Sequence, residues 1–377
     1  MTQFLTTLPR WLIALLFLLA LGGAFWRVPT PPPPAFLPPP APKPSTLPAS
    51  FNAELLPRAA ESAHAASLSQ LPDGRIAAAW FAGSKEGAED VAIWFSTRNK
   101  AGWTQPTPIA NRETTAGGTF AHVRKIGNPA LYSEGNWLHL WYVSVGIGGW
   151  AGSSINHSVS TDGGQSWFKP SKLQTSPFGN ISTLVRSNPI PLANGDIGLP
   201  VYHEFIAKHG EWLRISATGQ ILDKVRMTHP VRTLQPAIAV LDAQHAIAAL
   251  RDAGPAPGKV QISTTQDAGQ SWQAGEALSA PNPNSSVAIA RLNSGRLLLA
   301  SNPQDSRNAL LLWISSDSGK TWQASRTVET AADGAAEFSY PALLVARDGL
   351  IHLAYTWRRQ GIKHATFSEA WLDGVEP

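Results

Sequence analysis

One phrase, Ser/Thr-x-Asp-x-Gly-x-x-Trp, is written three times in this chain: STDGGQSW at 160–167, TQDAGQSW at 265–272 and SSDSGKTW at 315–322. The copies stand about one or two times fifty residues apart, a period that marks a repeated supersecondary unit. A catalytic acid is needed once, so the repetition assigns Asp162, Asp267 and Asp317 to structure. In such a phrase the Asp accepts hydrogen bonds from turn amides, the Gly supplies a positive φ, and the Trp packs on a neighbouring sheet.

A second signal repeats with the first. Turns recur at LPDGR (Gly74), SEGNW (Gly135), ANGDI (Gly195), DAQHA (Gln244), NSGRL (Gly295) and RDGLI (Gly349), each between two short apolar runs. Asn-Gly or Asp-Gly between such runs signals a β-hairpin. A third run follows each hairpin, and the Trp phrase comes directly after it where it is intact. Six four-stranded units after about residue 51 predict an all-β fold, a six-bladed β-propeller. A β-sandwich would not repeat with this period.

The N-terminus reads differently. Residues 11–26, WLIALLFLLALGGAFW, are apolar and flanked by Arg10 and Arg27. As a helix they span about 24 Å, close to a ~30 Å hydrocarbon core. Residues 1–28 are therefore expected to form a signal-anchor or transmembrane segment, with a cleaved signal peptide as the rival. Eleven prolines lie between Pro29 and Pro48. Residues 29–50 are expected to form an extended linker holding the 51–377 propeller roughly 60 Å from the bilayer. The expected location is then extracytoplasmic, membrane-anchored, or secreted if the signal is cleaved. The chain has no Cys, which excludes disulfides and a thiolate nucleophile. Net charge is only +4 and no basic run occurs, so nucleic acid is not an expected partner.

Propeller symmetry converts position into location. If the six tight turns share one face, the other face gathers the starts of the first strands, the ends of the second and the loops that follow. Read unit by unit, that mouth holds His64, Lys85, Glu86 and Asp90; Asn128 and Trp150; Asn188, Tyr202, His203 and Glu204; Gln235, Arg251 and Asp252; Asn284, Ser285, Asn302 and Arg307; Glu337, Tyr340, Arg358 and Arg359. Several Arg beside Tyr, His and carboxylates suit an anionic, hydroxyl-rich ligand, and the aromatic rings offer faces for a sugar. No cofactor or metal is called for.

The three Asp boxes, the six-unit pattern and the order of these polar residues resemble the sialidase (neuraminidase) superfamily, over about residues 54–374. The stretches LPDGRIAAAWFAGSKEGAEDVAIWFSTR and FSYPALLVARDGLIHLAYTW are similar to bacterial predicted neuraminidases. The resemblance implies an exo-glycosidase acting on a terminal acidic sugar of a glycan. It implies Tyr340 as nucleophile, Arg251 and Arg307 as two of three carboxylate-binding arginines, and Asp90 as acid/base with Glu86 as competitor. It also implies two departures: His64 stands in place of the first arginine, and Gln235 in place of the glutamate that would polarise the tyrosine. A phenol needs a base to become a good nucleophile, and Gln cannot be one; Glu337 or Glu204 are the nearby carboxylates. His203, Asn128, Trp150 and Arg358 complete the expected substrate contacts. The departures leave room for a uronate lyase or a non-catalytic glycan-binding propeller.

Overall fold

The computed structural model describes residues 9–27, 33–176, 180–227, 229–303, 306–332, 334 and 336–375. It divides into two units, residues 1–34 and 35–377. In the first, Arg10–Arg27 is helical. Among the described residues, no helix is long and apolar enough to cross a membrane, so the transmembrane span expected from the sequence is not supported. Residues 1–8 and 28–32, which carry part of that expected segment and the first prolines of the linker, lie outside the described residues.

The second unit is the expected six-bladed propeller. Counted along the chain, blade one opens with Ser62–Gln70, Ile76–Gly83 and Ala92–Asn99, and blade two with Lys125–Glu134, Trp137–Val145 and Ser153–Ser160. In blade three, Thr183–Val185 and Ile190–Pro191 both pair with Ile197–His203, and His209–Ile215 and Ile221–Arg226 follow. Blade four runs through Thr233–Val240, Ala246–Asp252 and Gln261–Thr265, and blade five through Ala288–Arg291, Leu297–Ser301, Ala309–Ser315 and Gln323–Thr330. Blade six has Phe338–Val345, Ile351–Trp357 and Gly361–Phe367 from the end of the chain, and takes its outer strand, Phe51–Leu55, from the beginning. Phe51 pairs with Phe367, and Leu55 with Lys363. The repeat pattern had not foreseen this closure, because a five-residue edge strand carries no turn signal of its own.

The core is six apolar clusters, one at each junction between blades. The junction of blades one and two buries Phe81, Phe95, Leu140 and Tyr142, and the closing junction of six and one buries Leu68, Trp80, Ala354 and Ile362. The Asp boxes work as expected. In each box the Asp accepts from the Ser or Thr two residues before it and from the hydroxyl four residues after it, as in Asp162 with Ser160 and Ser166. Each Trp reaches the preceding blade: Trp167 lies edge-on to Phe95 at 5.8 Å, and Trp272 is 6.1 Å from Trp212. The box glycine is required twice over. Gly164 has φ 94° and follows Gly163 at 72°, and a Cβ on Gly164 would come within 2.3 Å of the Phe95 ring.

Residues 35–50 differ from the free spacer expected of a proline-rich run. Phe36 is fully buried, bridges Leu192 and packs edge-on to Trp212 at 5.9 Å. The backbone amide of Phe36 donates to Ala243, that of Leu37 to Pro191 and that of Lys43 to Asn293. The segment thus straps the tight-turn side of blades three, four and five. One aromatic side chain and these backbone bonds outweigh the extended preference of proline. Phe36→Ala is expected to lower the unfolding free energy by about 3 kcal/mol, read as a lower urea midpoint at unchanged m-value.

Candidate active site

The inner strands reach the mouth through a shared irregularity. Pairing with the second strand skips between His64 and Ser67, Gly127 and Ala130, Leu234 and Ala237, and Ser339 and Ala342. At each skip one residue has a left-handed backbone: Ala65 (φ 55°), Asn128 (48°), Gln235 (49°) and Tyr340 (53°), with Asn284 (54°) in the matching place of blade five. A β-bulge re-aims its side chain out of the ladder, and left-handed φ is costly for a bulky residue. The fold therefore holds Tyr340, Gln235, Asn128 and Asn284 in equivalent strained positions around one axis.

These residues form one network. Asn128 Nδ2 donates to the Tyr202 hydroxyl at 3.1 Å, and Gln235 Nε2 approaches the same oxygen at 3.4 Å. Arg251 Nη1 donates to Gln235 Oε1 at 3.1 Å and to the Tyr340 hydroxyl at 3.2 Å, while its Nε donates to Asn284 Oδ1 at 2.7 Å. Burial pushes the Tyr202 phenol far up, so it stays protonated. The acceptors of Arg251 are thus two amides and a phenol oxygen, and among the described residues no carboxylate lies within ion-pair distance of it.

The other arginines are compensated. Arg307 Nη1 donates to Glu337 Oε1 at 3.0 Å and its Nη2 to the Asn284 carbonyl, with its guanidinium 5.7 Å from the Tyr340 ring. Arg359 Nε donates to Glu337 Oε2 at 2.6 Å and its Nη1 to Glu86 Oε2 at 2.9 Å. Burial would raise the Glu337 carboxyl, but hydrogen bonds from Arg359 and Ser339 reverse this and hold it at about 2. Glu337 is a fixed anion between two guanidiniums, which disqualifies it as the base considered for Tyr340.

His64 lies beneath the nucleophile candidate. Its ring is 4.2 Å from that of Tyr340, its Nδ1 is 3.0 Å from Thr356 Oγ1, and it is 2% exposed. Burial, and then Arg359, push its pKa well below the ordinary value, so it is neutral and supplies no cation where the resemblance implies an arginine. Trp150 covers Gly127, where a Cβ would meet its ring at 2.9 Å, and Lys125 sits 4.2 Å above it. That places an aromatic face next to Asn128.

Three expected residues stand apart. Asp90 is exposed and accepts from the amide and hydroxyl of Ser84 at 2.8 and 2.9 Å. These bonds lower its pKa, the opposite of what a proton donor needs. His203 stacks on His209 at 5.0 Å, in the company of Glu211 and Lys224 rather than Tyr340. Arg358 lies over Trp357 and Phe338 at 5.5 and 6.0 Å, while its neighbour Arg359 joins the cluster.

One residue escaped the sequence reading altogether. Arg186 is 2% exposed and donates from Nη2 to the Tyr340 carbonyl at 2.7 Å and from Nη1 to the Ala66 carbonyl at 3.1 Å. It reaches from blade three to blades six and one and clamps the strained peptide of Tyr340. It sits two residues before the Asn188-Pro189 pair that looked like the blade's landmark, and nothing in its local sequence distinguishes it.

A model of the BNR repeat-like domain matches residues 74–353, well over half of the chain. The chain belongs to the BNR repeat-like family. Among solved structures it is similar to the Hadza microbial sialidase Hz136, at 16% identity and TM-score 0.66, over 81% of this chain and 65% of that one. It is also similar to the intramolecular trans-sialidase from Ruminococcus gnavus, at 14% identity and TM-score 0.66, over 86% of this chain and 98% of that one. A third likeness is to Trypanosoma rangeli sialidase, at 13% identity and TM-score 0.66, over 84% of this chain and 57% of that one. At these identities the likeness shows the fold. No curated protein matches the chain.

The Glu337 cluster carries a stability signature. Its carboxyl, at about 2 in the fold against 4.5 unperturbed, contributes stability present above pH 4.5 and lost as pH falls toward 2. Because Arg359 is partly exposed, the contribution is on the order of 2 kcal/mol. Chemical unfolding followed from pH 6 to about 2.5 should show that much acid loss, and Glu337→Gln should remove this component while lowering stability at pH 6.

Proposed function

We propose that this BNR-family propeller is an exo-glycosidase that removes a terminal acidic sugar, of the sialic acid type, from glycans. The observation that carries the reading is Arg251: a guanidinium at the mouth whose acceptors are two amides and the Tyr340 hydroxyl 3.2 Å away. A cation left uncompensated beside a nucleophile is a place for a substrate anion. The trans-sialidase and sialidase names of the structural neighbours support the same substrate class.

In this reading Arg251 and Arg307 grip the sugar carboxylate, and Trp150 offers a face to the ring or its aglycone. The Tyr340 oxygen attacks the anomeric carbon as its proton passes to a water at the open mouth, and the bond from that carbon to the departing oxygen breaks, in the manner that sets sialidases apart from two-carboxylate glycosidases. The departing oxygen needs a proton, and Glu204 has the properties Asp90 lacks. Burial raises its pKa, against the pull of Lys208, Arg251 and Lys125, and no described residue hydrogen-bonds its carboxyl. After departure the same carboxylate takes a proton from the water that releases the sugar from Tyr340.

Turnover of a fluorogenic sialoside tests this directly. Tyr340→Phe should abolish release while retaining binding of the free sugar acid. Ultraviolet-absorbing products from a uronate polymer, with no sialoside hydrolysis, would overturn the assignment in favour of a lyase; sugar binding without any turnover would leave a glycan-binding propeller.

The acid assignment predicts a pH profile. A general acid acts protonated, so kcat should fall as pH rises through the elevated Glu204 pKa. Glu204→Gln should lower kcat by about 10²-fold or more on an unactivated glycoside and erase that alkaline limb. An unchanged limb would return the role to another group, with Glu86 the next carboxylate in line.

A further inference from the structure

Beneath Tyr340 the central channel opens into a cavity of about 400 Å³. Its walls are the inner strands of blades three to six, and Leu37 and Pro39 of the N-terminal strap lie at its tight-turn end. Two arginines, Arg186 and Arg291, line it, and no carboxylate does. Arg186 is the unusual one. Its Nη atoms are spent on the carbonyls of Ala66, Tyr340 and Pro341, and its Nε is buried with no partner. Among the described residues no carboxylate pairs with it, since Glu337 is engaged by Arg307 and Arg359.

A guanidinium removed from water needs a counter-charge, and carbonyl dipoles satisfy its N–H groups without supplying one. Burial lowers the Arg186 pKa only to about 10, so the group remains a cation at neutral pH. Water could satisfy the free Nε–H but would leave the charge uncompensated. The channel also presents the unpaired edges of the innermost strands, whose amides are further donors toward an anion.

We propose that this cavity is a binding site for a small monovalent inorganic anion of the halide class, held against Arg186 on the side of the propeller axis away from the mouth. The cavity's lining includes Arg186 but neither Arg251 nor Arg307, and Arg186, 5.4 Å from the Tyr340 ring, spends its Nη2 on the backbone carbonyls of Tyr340 and Pro341. Through the Tyr340 carbonyl the anion would help fix the strained peptide that carries the nucleophile candidate. The inference concerns the channel alone and stands whichever ligand the mouth accepts.

Sodium bromide is the probe. Crystals of the full chain soaked in it, with anomalous data at the bromine edge, should show a peak in the cavity in contact with the Arg186 guanidinium. A map without that peak, including one with bromide only at the surface, overturns the proposal. In solution, the melting midpoint should rise with bromide relative to sodium gluconate at equal ionic strength, and Arg186→Met should remove the difference. A rise of the same size in Arg186→Met overturns it as well. Should that variant fail to fold, the wild-type crystal experiment decides.

Discussion

Everything in the propeller depends on one pairing, that of Phe51–Leu55 with Gly361–Phe367. A four-stranded blade cannot bury its own two faces; it must stack on neighbours, and in an open row the end blades would expose theirs. The clusters at all six junctions exist only if the ring closes, and the closing blade is built from both ends of the propeller sequence. Phe51 adds packing to the backbone ladder, stacking on Trp371 at 4.4 Å and lying 6.3 Å from Phe367. Closure also sets the chemistry, because the Asn128–Tyr202–Gln235–Arg251–Tyr340 network crosses blades two, three, four and six. The bond from Arg251 in blade four to Tyr340 in blade six, which are not neighbours in sequence order, requires the complete ring.

The strained bulge is the second constraint. A left-handed tyrosine persists only where its surroundings over-determine it. Here they do so from several sides: Arg186 holds its carbonyl, Arg251 its hydroxyl, and the buried His64 supports its ring. Aligned with Ala65, Asn128, Gln235 and Asn284, Tyr340 occupies a position that the other blades so marked fill with an alanine or an amide. The site is thus a specialisation of one repeat position and needs no inserted domain.

This explains how much was legible from the sequence. Period, turn glycines and box Trp residues are local signals, and the blades, the tight-turn face and the box turns follow from them. Position within the repeat then found Tyr340, Gln235, Arg251, Arg307 and Asn128, since symmetry maps equal places onto one mouth. What failed was whatever depends on contacts between distant segments. Glu337 looks like a free carboxylate until Arg307 and Arg359 converge on it. Asp90 looks like an acid until Ser84 folds over it. The proline-rich run looks like a spacer until Phe36 finds Trp212. Arg186 carries no local mark at all, because its importance lies in crossing the channel.

Gln235, standing where the sialidase resemblance implies a glutamate, then acquires a physical meaning beyond the lack of a base. A carboxylate at that position would lie against Arg251 Nη1 and neutralise it, as Glu337 and Glu86 together neutralise Arg307 and Arg359. The amide accepts the same hydrogen bond at 3.1 Å and leaves the charge undiminished. With His64 also neutral, the mouth presents fewer cations than three free arginines would, but the one beside the phenol acts at full strength. In the proposed reaction Arg251 would steady the Tyr340 oxygen through its 3.2 Å hydrogen bond, with no carboxylate in that place to take the proton. The two departures that the resemblance implies are in this sense coupled: an amide rather than a carboxylate beside Arg251 offsets part of what a buried histidine lacks as a cation.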